Sequence, residues 1–207
     1  MFISFEGPDG GGKTTQVSLL AERLSAQGYT VIRCREPGGT PIGDQIREVL
    51  HALHNDEMDA RTEFLLYAAS RAQLVHEVIR PHLAQQHIVI VDRYVDSTFA
   101  YQGYGRGLDL NALYEITSFA TGGLLPDCTF YLDIEPSDAL ERRQQAALAG
   151  AEWTRMDAQA LDFHQRVRDG YEALIANDEA RWIRVDATQT VTEVAAAIDA
   201  ALQAYLS

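Results

Sequence analysis

Apolar positions along this chain switch between two spacings. Residues 2–6, "FISFE", are a short apolar and aromatic run, which predicts a buried strand. Residues 16–27 place Val17, Leu19, Leu20, Ala21 and Leu24 at helical spacing. The pattern then repeats. Strands are predicted at 30–36, 87–92, 128–134 and 181–187, with "HIVIVD" the clearest buried one. Helices are predicted at 42–53, at 59–86 with Pro81 near its last turns, near 110–121, from Pro136 onward, at 158–177 and at 190–205. A polar and aromatic segment follows Asp92 with no assignable period. Residues 144–157 also lack a clean period and contain Gly150, which predicts a loop or lid.

Strands alternating with helices predict an α/β fold, a doubly wound sheet of five parallel strands flanked by helices with right-handed crossovers. The length of 207 residues and a 46% hydrophobic content suit one domain over 1–207, with a lid at about 142–157. In such a sheet ligands gather beyond the carboxyl ends of the strands. Three polar segments begin at predicted strand ends, after Glu6, Glu36 and Asp92.

The segment after Glu6 carries the most chemistry. "GPDGGGKT" places Gly7, Gly12, Lys13 and Thr14 in the pattern G-x-x-x-x-G-K-[ST], between a strand and a helix. Free N–H groups at a helix start bind anions, and glycines let the backbone wrap closely around phosphate. Lys13 reaches the β- and γ-phosphates, and the Thr14 hydroxyl ligates Mg²⁺. Gly7, Pro8, Asp9, Gly10, Gly11, Gly12, Lys13, Thr14 and Thr15 are therefore the candidate ATP cradle. A Gly-rich turn that only caps a helix is the plainer alternative. The loop alone does not separate a kinase from a GTPase or another ATPase.

Charge sharpens this reading. The net charge of −13 disfavours a nucleic-acid surface, so cations for a nucleotide must be gathered locally. Cys34 and Cys128 lie in apolar strand-like segments and are expected to be buried thiols in a reducing cytosol. An apolar strand beginning at Phe2 predicts no signal peptide, and no run reaches membrane-spanning length. A cytoplasmic protein is expected. The histidines show no metal-ligand spacing.

Four fragments in order, the P-loop, "REPGGT" (35–40), "YAASRAQ" (67–73) and "DRYVDSTFAYQG" (92–103), resemble the thymidylate kinase family from Phe2 to about Tyr171. The resemblance implies transfer of the γ-phosphate of ATP to dTMP, with Mg²⁺ and a homodimer. It implies that Asp92 holds the metal or its waters beside Thr14, and that Arg93 clamps the acceptor phosphate. Unaided, Asp92 and Arg93 read equally as a structural pair at a strand end. Tyr67 and Arg71, four residues apart on one helix face, would stack on the thymine ring and read a base carbonyl. An ordinary surface pair is the alternative. Ser97 and Thr98 would help hold the acceptor, and Tyr101 would crowd the sugar 2′ position. Gln102 fits ligand contact and a loop amide equally. Asp9 would accept from the sugar 3′-OH, and Glu36 and Pro37 would form the pocket wall.

The lid departs from the family. Thr154 replaces its usual aspartate, and "QQAALAGAEW" replaces a more basic stretch. The P-loop has no arginine, so the resemblance assigns the missing charge to the lid. Arg142, Arg143 and Arg155 are the candidates, with Arg155 matching the family pattern best. Arg142 pairs equally well with Asp138, four residues away. A small P-loop kinase for another nucleoside or monophosphate shares Lys13 and the fold. A nucleotide-switch protein would need a motif such as N-K-x-D, which is not apparent.

Overall fold

The computed structural model describes residues 1–206. The strands are β1 (Phe2–Glu6), β2 (Val31–Arg35), β3 (Ile88–Asp92), β4 (Cys128–Asp133) and β5 (Trp182–Asp186). The helices are α1 (Lys13–Ala26), α2 (Pro41–His51), α3 (Ala60–Leu74), α4 (Val95–Thr98), α5 (Leu110–Thr121), α6 (Pro136–Leu148), α7 (Leu161–Asn177) and α8 (Val191–Leu206). All strand pairs are parallel, in the order β2-β3-β1-β4-β5.

Burial explains the composition of the strands. β1 is buried at every position, as expected of a central parallel strand covered on both faces. One face packs Ile3, Phe5, Leu20, Leu24, Phe130 and Ile198 between the sheet, α1 and α8. The other packs Phe2, Leu74, Ile79, Val89, Val91 and Tyr94 beneath α3. A third cluster, with Tyr101, Tyr131, Phe163, Val167 and Tyr171, joins α7 to the segment after β3.

Register fixes the site. Phe5 and Arg35 both align with Asp92 across neighbouring strands. The chains leaving β1, β2 and β3 therefore emerge side by side at one edge.

Several predicted elements shift. The long helix over 59–86 is Ala60–Ala84, passing through a π-helical turn at Val75–Ile79. α2 ends at His51 because Ala52 turns extended, with ψ 121°. α6 continues to Leu148, into the segment expected as a loop, because "QQAAL" favours helix without needing an apolar stripe. The unassigned segment after Asp92 is also helical: α4 runs into a π-helical Phe99–Gly105. Its widened turns break the 3.6 period, and it buries Asp96, Ser97, Thr98 and Gln102 where apolar residues would be expected. Asp96 is neutralised there by Arg181, at 2.7 and 2.9 Å. Cys128 is buried, whereas Cys34 on edge strand β2 is only half-buried; both thiols are free.

Candidate active site

The P-loop owes its shape to glycine. Gly7, Gly10 and Gly12 have φ of 126°, 90° and 89°, a region that side chains disfavour. A Cβ on Gly10 would sit 2.1 Å from the Ala139 carbonyl oxygen, so α6 packs directly on the loop. A Cβ on Gly12 would meet nothing within 4 Å, which leaves space open before the α1 amino terminus. Lys13 opens that helix and folds back, donating to the carbonyls of Gly7 (3.0 Å) and Pro8 (2.8 Å). Burial, then the Arg93 charge, lowers the Lys13 pKa against the pull of Asp9 and Asp92. The Thr14 hydroxyl donates to Asp92 Oδ2 at 2.6 Å, joining the P-loop to the end of β3.

Arg93 is the hub. Its φ of 70° is unusual for a residue with a side chain and costs about 1–3 kcal/mol. The surroundings hold it there: its N–H donates to the Phe5 carbonyl at 2.9 Å. The guanidinium donates from Nη2 to Asp9 Oδ1 and the Tyr101 hydroxyl, both at 2.9 Å. From Nη1 it donates to Ser97 Oγ (3.1 Å) and the Tyr171 hydroxyl (3.3 Å). Burial raises the Asp9 carboxyl, but the Arg93 and Lys13 charges bring it well below the usual carboxylate range. Asp9 is therefore ionised beside two cations.

Beside this hub is a cavity of about 280 Å³. Glu36, Pro37 and Tyr67 line one side, Ser97, Tyr101 and Gln102 another, and Asp9, Thr14, Asp92 and Arg93 the floor. Arg71 and Thr98 stand behind that wall, each 1% exposed. Arg71 donates to Glu36 Oε2 (2.7 Å), Thr98 Oγ1 (2.8 Å) and the Tyr94 carbonyl (3.0 Å). Glu36 helps hold Arg71 charged despite its burial. Glu36 itself gains less from Arg71 than burial takes, and its pKa is pushed up to about 7.

The three lid arginines take different places. Arg143 lines the cavity and forks onto Asp157, with Nε–Oδ1 at 2.8 Å and Nη2–Oδ2 at 2.7 Å. Arg155 faces away from the P-loop, 4% exposed, with Nη2 on Glu63 Oε2 at 2.6 Å and Nε on the Leu50 carbonyl at 3.3 Å. Arg142 donates to the Ala187 carbonyl at the end of β5 at 2.9 Å. Glu63 is a second buried hub. It also accepts from Gln102 at 2.9 Å and Arg106 at 3.0 Å, so one carboxylate ties the lid, α3 and the cavity wall together.

Sequence reading missed Glu6, Glu63, Tyr171, Arg47 and His51. Arg47 and His51 line the cavity from α2. The signal for Glu6 was a lone carboxylate ending an apolar strand. Tyr171 continues the buried stripe of Phe163 and Val167 and is indistinguishable from core by spacing.

Comparison with known proteins agrees with this geometry. Residues 5–198 match the family model described as thymidylate kinase. The chain is 54% identical to a thymidylate kinase of Roseiflexus castenholzii, covering 100% of this chain and 94% of that protein. It is 46% identical to a thymidylate kinase of Caldanaerobacter subterraneus, covering 99% and 96%. The crystal structure of thymidylate kinase from Ehrlichia chaffeensis superposes with a TM-score of 0.79 at 33% identity, over 98% of each chain. With a phosphate-cradling loop, a strand-end Asp-Arg pair and a nucleotide-sized cavity meeting at one sheet edge, this chain belongs to the thymidylate kinase family.

Proposed function

We infer that the protein transfers the γ-phosphate of ATP to the 5′-phosphate of dTMP, giving dTDP. The observation that carries this reading is the shared floor: Asp9 and Arg93 line the cavity, and Asp9 lies 2.9 Å from Arg93 and 3.5 Å from Lys13 of the anion cradle. A donor phosphate on the P-loop and an acceptor phosphate in the cavity would meet there. An acceptor oxygen attacks the γ-phosphorus in line while the protein positions both groups and neutralises charge. Lys13 and Arg93 carry that charge, and Arg143 is the lid arginine placed to add to it by leaving Asp157. Arg155 anchors the lid from behind.

The residues suit Mg²⁺. Thr14 and Asp92 bring a hydroxyl and a carboxylate within 2.6 Å, the hard oxygen pair that this ion takes beside phosphates and waters. When bound, the ion would neutralise negative charge on the phosphates. Tyr67 stacks on the base, Arg71 and Thr98 act on it by bracing the Glu36 wall from behind, and Glu36, Pro37, Ser97 and Gln102 close the pocket. Tyr101 crowds the sugar 2′ position, and Asp9 accepts from the 3′-OH. Residues 1–207 act as one domain, with the lid at about 142–157.

The enzyme works as a homodimer. Ile42 and Val49 on α2, Leu65 on α3, and Tyr114 and Phe119 on α5 are exposed on helices that pack side by side, and Phe119 is 91% exposed. Sedimentation at micromolar concentration tests this; a monomer would refute it. Among the described residues no helix is long and apolar enough to cross a membrane, in keeping with a cytoplasmic enzyme.

The deciding experiment is ADP release with ATP–Mg²⁺ and dTMP, dUMP, dCMP, dGMP, UMP, AMP or thymidine as acceptor. Strong preference for dTMP is expected. Preference for another acceptor would keep the P-loop reading and sink the pocket assignments.

A further inference from the structure

Glu6 is fully buried at the last position of β1, and the chemistry above gives it no task. Its carboxylate has three donors around it. Oε1 accepts from the Tyr94 N–H at 2.8 Å. Oε2 accepts from the Ser97 hydroxyl at 2.5 Å and the Tyr171 hydroxyl at 2.7 Å. Those two hydroxyls are the oxygens that Arg93 Nη1 donates to.

Proton counting links the groups. A hydroxyl has one proton and lone pairs to spare. Once Ser97 and Tyr171 give their protons to Glu6, each offers only lone pairs to Arg93. The two hydroxyls also lie 3.1 Å apart, so one turned away from Glu6 would aim its proton either at the other hydroxyl or at a guanidinium that has only protons to give. A carboxylate at Glu6, the charged acceptor at 2.5 and 2.7 Å, draws both protons and so sets the direction of both bonds. Burial, then the Asp96 charge, raises the Glu6 pKa on balance against Arg93, Ser97 and Tyr171, and it is the three donors turned toward it that suit the ionised form.

The backbone adds a second grip. The Arg93 N–H is bound to the carbonyl of Phe5, and the next N–H, on Tyr94, is bound to Glu6. The β1 end thus clasps the chain on both sides of a residue held at φ 70°.

We propose that Glu6, with Tyr171 as its relay, is the positioning residue that aims Arg93 at the acceptor phosphate. The proposal rests on the reading of Arg93 as the phosphate clamp. Glu6 touches no substrate and acts through the guanidinium alone.

The test uses Glu6→Gln, Tyr171→Phe and Arg93→Lys in the full chain, with kinetics for dTMP and binding of thymidine, which lacks the phosphate. Glutamine keeps the shape, but its amide must present N–H to a donor on one side or the other. Glu6→Gln is expected to weaken productive dTMP use by about ten- to a hundredfold, since it leaves buried donors opposed. Thymidine binding should stay within about twofold, because the nucleoside does not engage Arg93. In the Arg93→Lys background the Glu6 change should add little, as expected for residues acting in series. Tyr171→Phe keeps the buried ring and should reproduce the same split at smaller size, so the idea stays testable if Glu6→Gln folds poorly. Equal losses for dTMP and thymidine would make Glu6 merely structural. Unchanged dTMP kinetics in both variants, with Arg93→Lys impaired, would overturn the positioning role and keep the clamp. Unchanged kinetics in Arg93→Lys would remove the clamp reading itself.

Discussion

The P-loop cradle and the lid both present cations to the same cavity, but they are held differently. The path of the cradle is set by backbone, with glycines at positive φ, strand ends in register and the Arg93 N–H bound to β1, and buried side chains then hold the Arg93 guanidinium on that path. The lid is set mainly by side chains. Arg143 reaches out from α6 to Asp157, and Arg155 reaches back from the lid to Glu63. Groups on a backbone-fixed path are preorganised, and only the end of a side chain such as Lys13 has to turn when phosphate arrives. A side-chain pair can exchange partners, which suits a segment that must open and close.

The sharpest way to break this comparison is to remove the fixed charge. Lys13→Ala should lower kcat by about a thousandfold or more, the scale of losing a preorganised donor to the transition state. Asp9 keeps Arg93 as its partner, so the fold should survive. Near-normal turnover would remove the P-loop assignment.

The two lid arginines should then separate. Arg143→Ala removes a cavity-lining charge and should lower kcat by about a hundredfold, with some loss of stability because buried Asp157 keeps only its Thr154 donors. Arg155→Ala leaves buried Glu63 with Arg106 and Gln102 only, and should cost about 1–3 kcal/mol in urea denaturation with a smaller loss in kcat. Catalysis lost at Arg155 but kept at Arg143 would return the transfer role to Arg155. Tyr101→Ala should follow in size, narrowing the preference for dTMP over its ribose analogue by about tenfold. An unaltered ratio would count against Tyr101 as the sugar gate.

The same division marks what the sequence could reveal. Lys13, Thr14, Asp92 and Arg93 were legible because glycines and strand ends are local signals, and the parallel sheet brings strand ends together. Tyr67 and Arg71 were legible as one helix face. That Arg71 sits behind Glu36 was not, because it depends on three elements packing together. Arg155 matched a pattern, but a pattern does not say which way a lid side chain points. Residues 95–105 hid their helix because π-helical turns shift the period and because Asp96, Ser97 and Gln102 are polar yet buried. Buried polar hubs carry little local signal, none at Glu63 and at Glu6 only a lone carboxylate ending an apolar strand, since their partners come from distant parts of the chain.

The smallest expected effect tests the wall between these regions. The Glu36 carboxyl is pushed up to about 7 by burial, although Arg71 lowers it, and the ordinary value is 4.5. Between those values the folded protein retains a proton that the unfolded chain has released. The stability this contributes is complete below 4.5 and is lost as pH rises through about 7. One proton sets the limit, about 1.4 kcal/mol per pH unit. Glu36→Gln stays neutral throughout and should lose this fall. Urea denaturation between about pH 5 and pH 7 should therefore show the variant gaining on the wild type as pH rises. Parallel curves would mean that Arg71 keeps Glu36 ionised across the window, and the wall would then be a fixed ion pair like the cradle beside it. A converging pair of curves would instead make Glu36 a cavity carboxyl whose charge changes near neutrality, with its Oε1, buried and without a protein partner, as the atom that takes the proton.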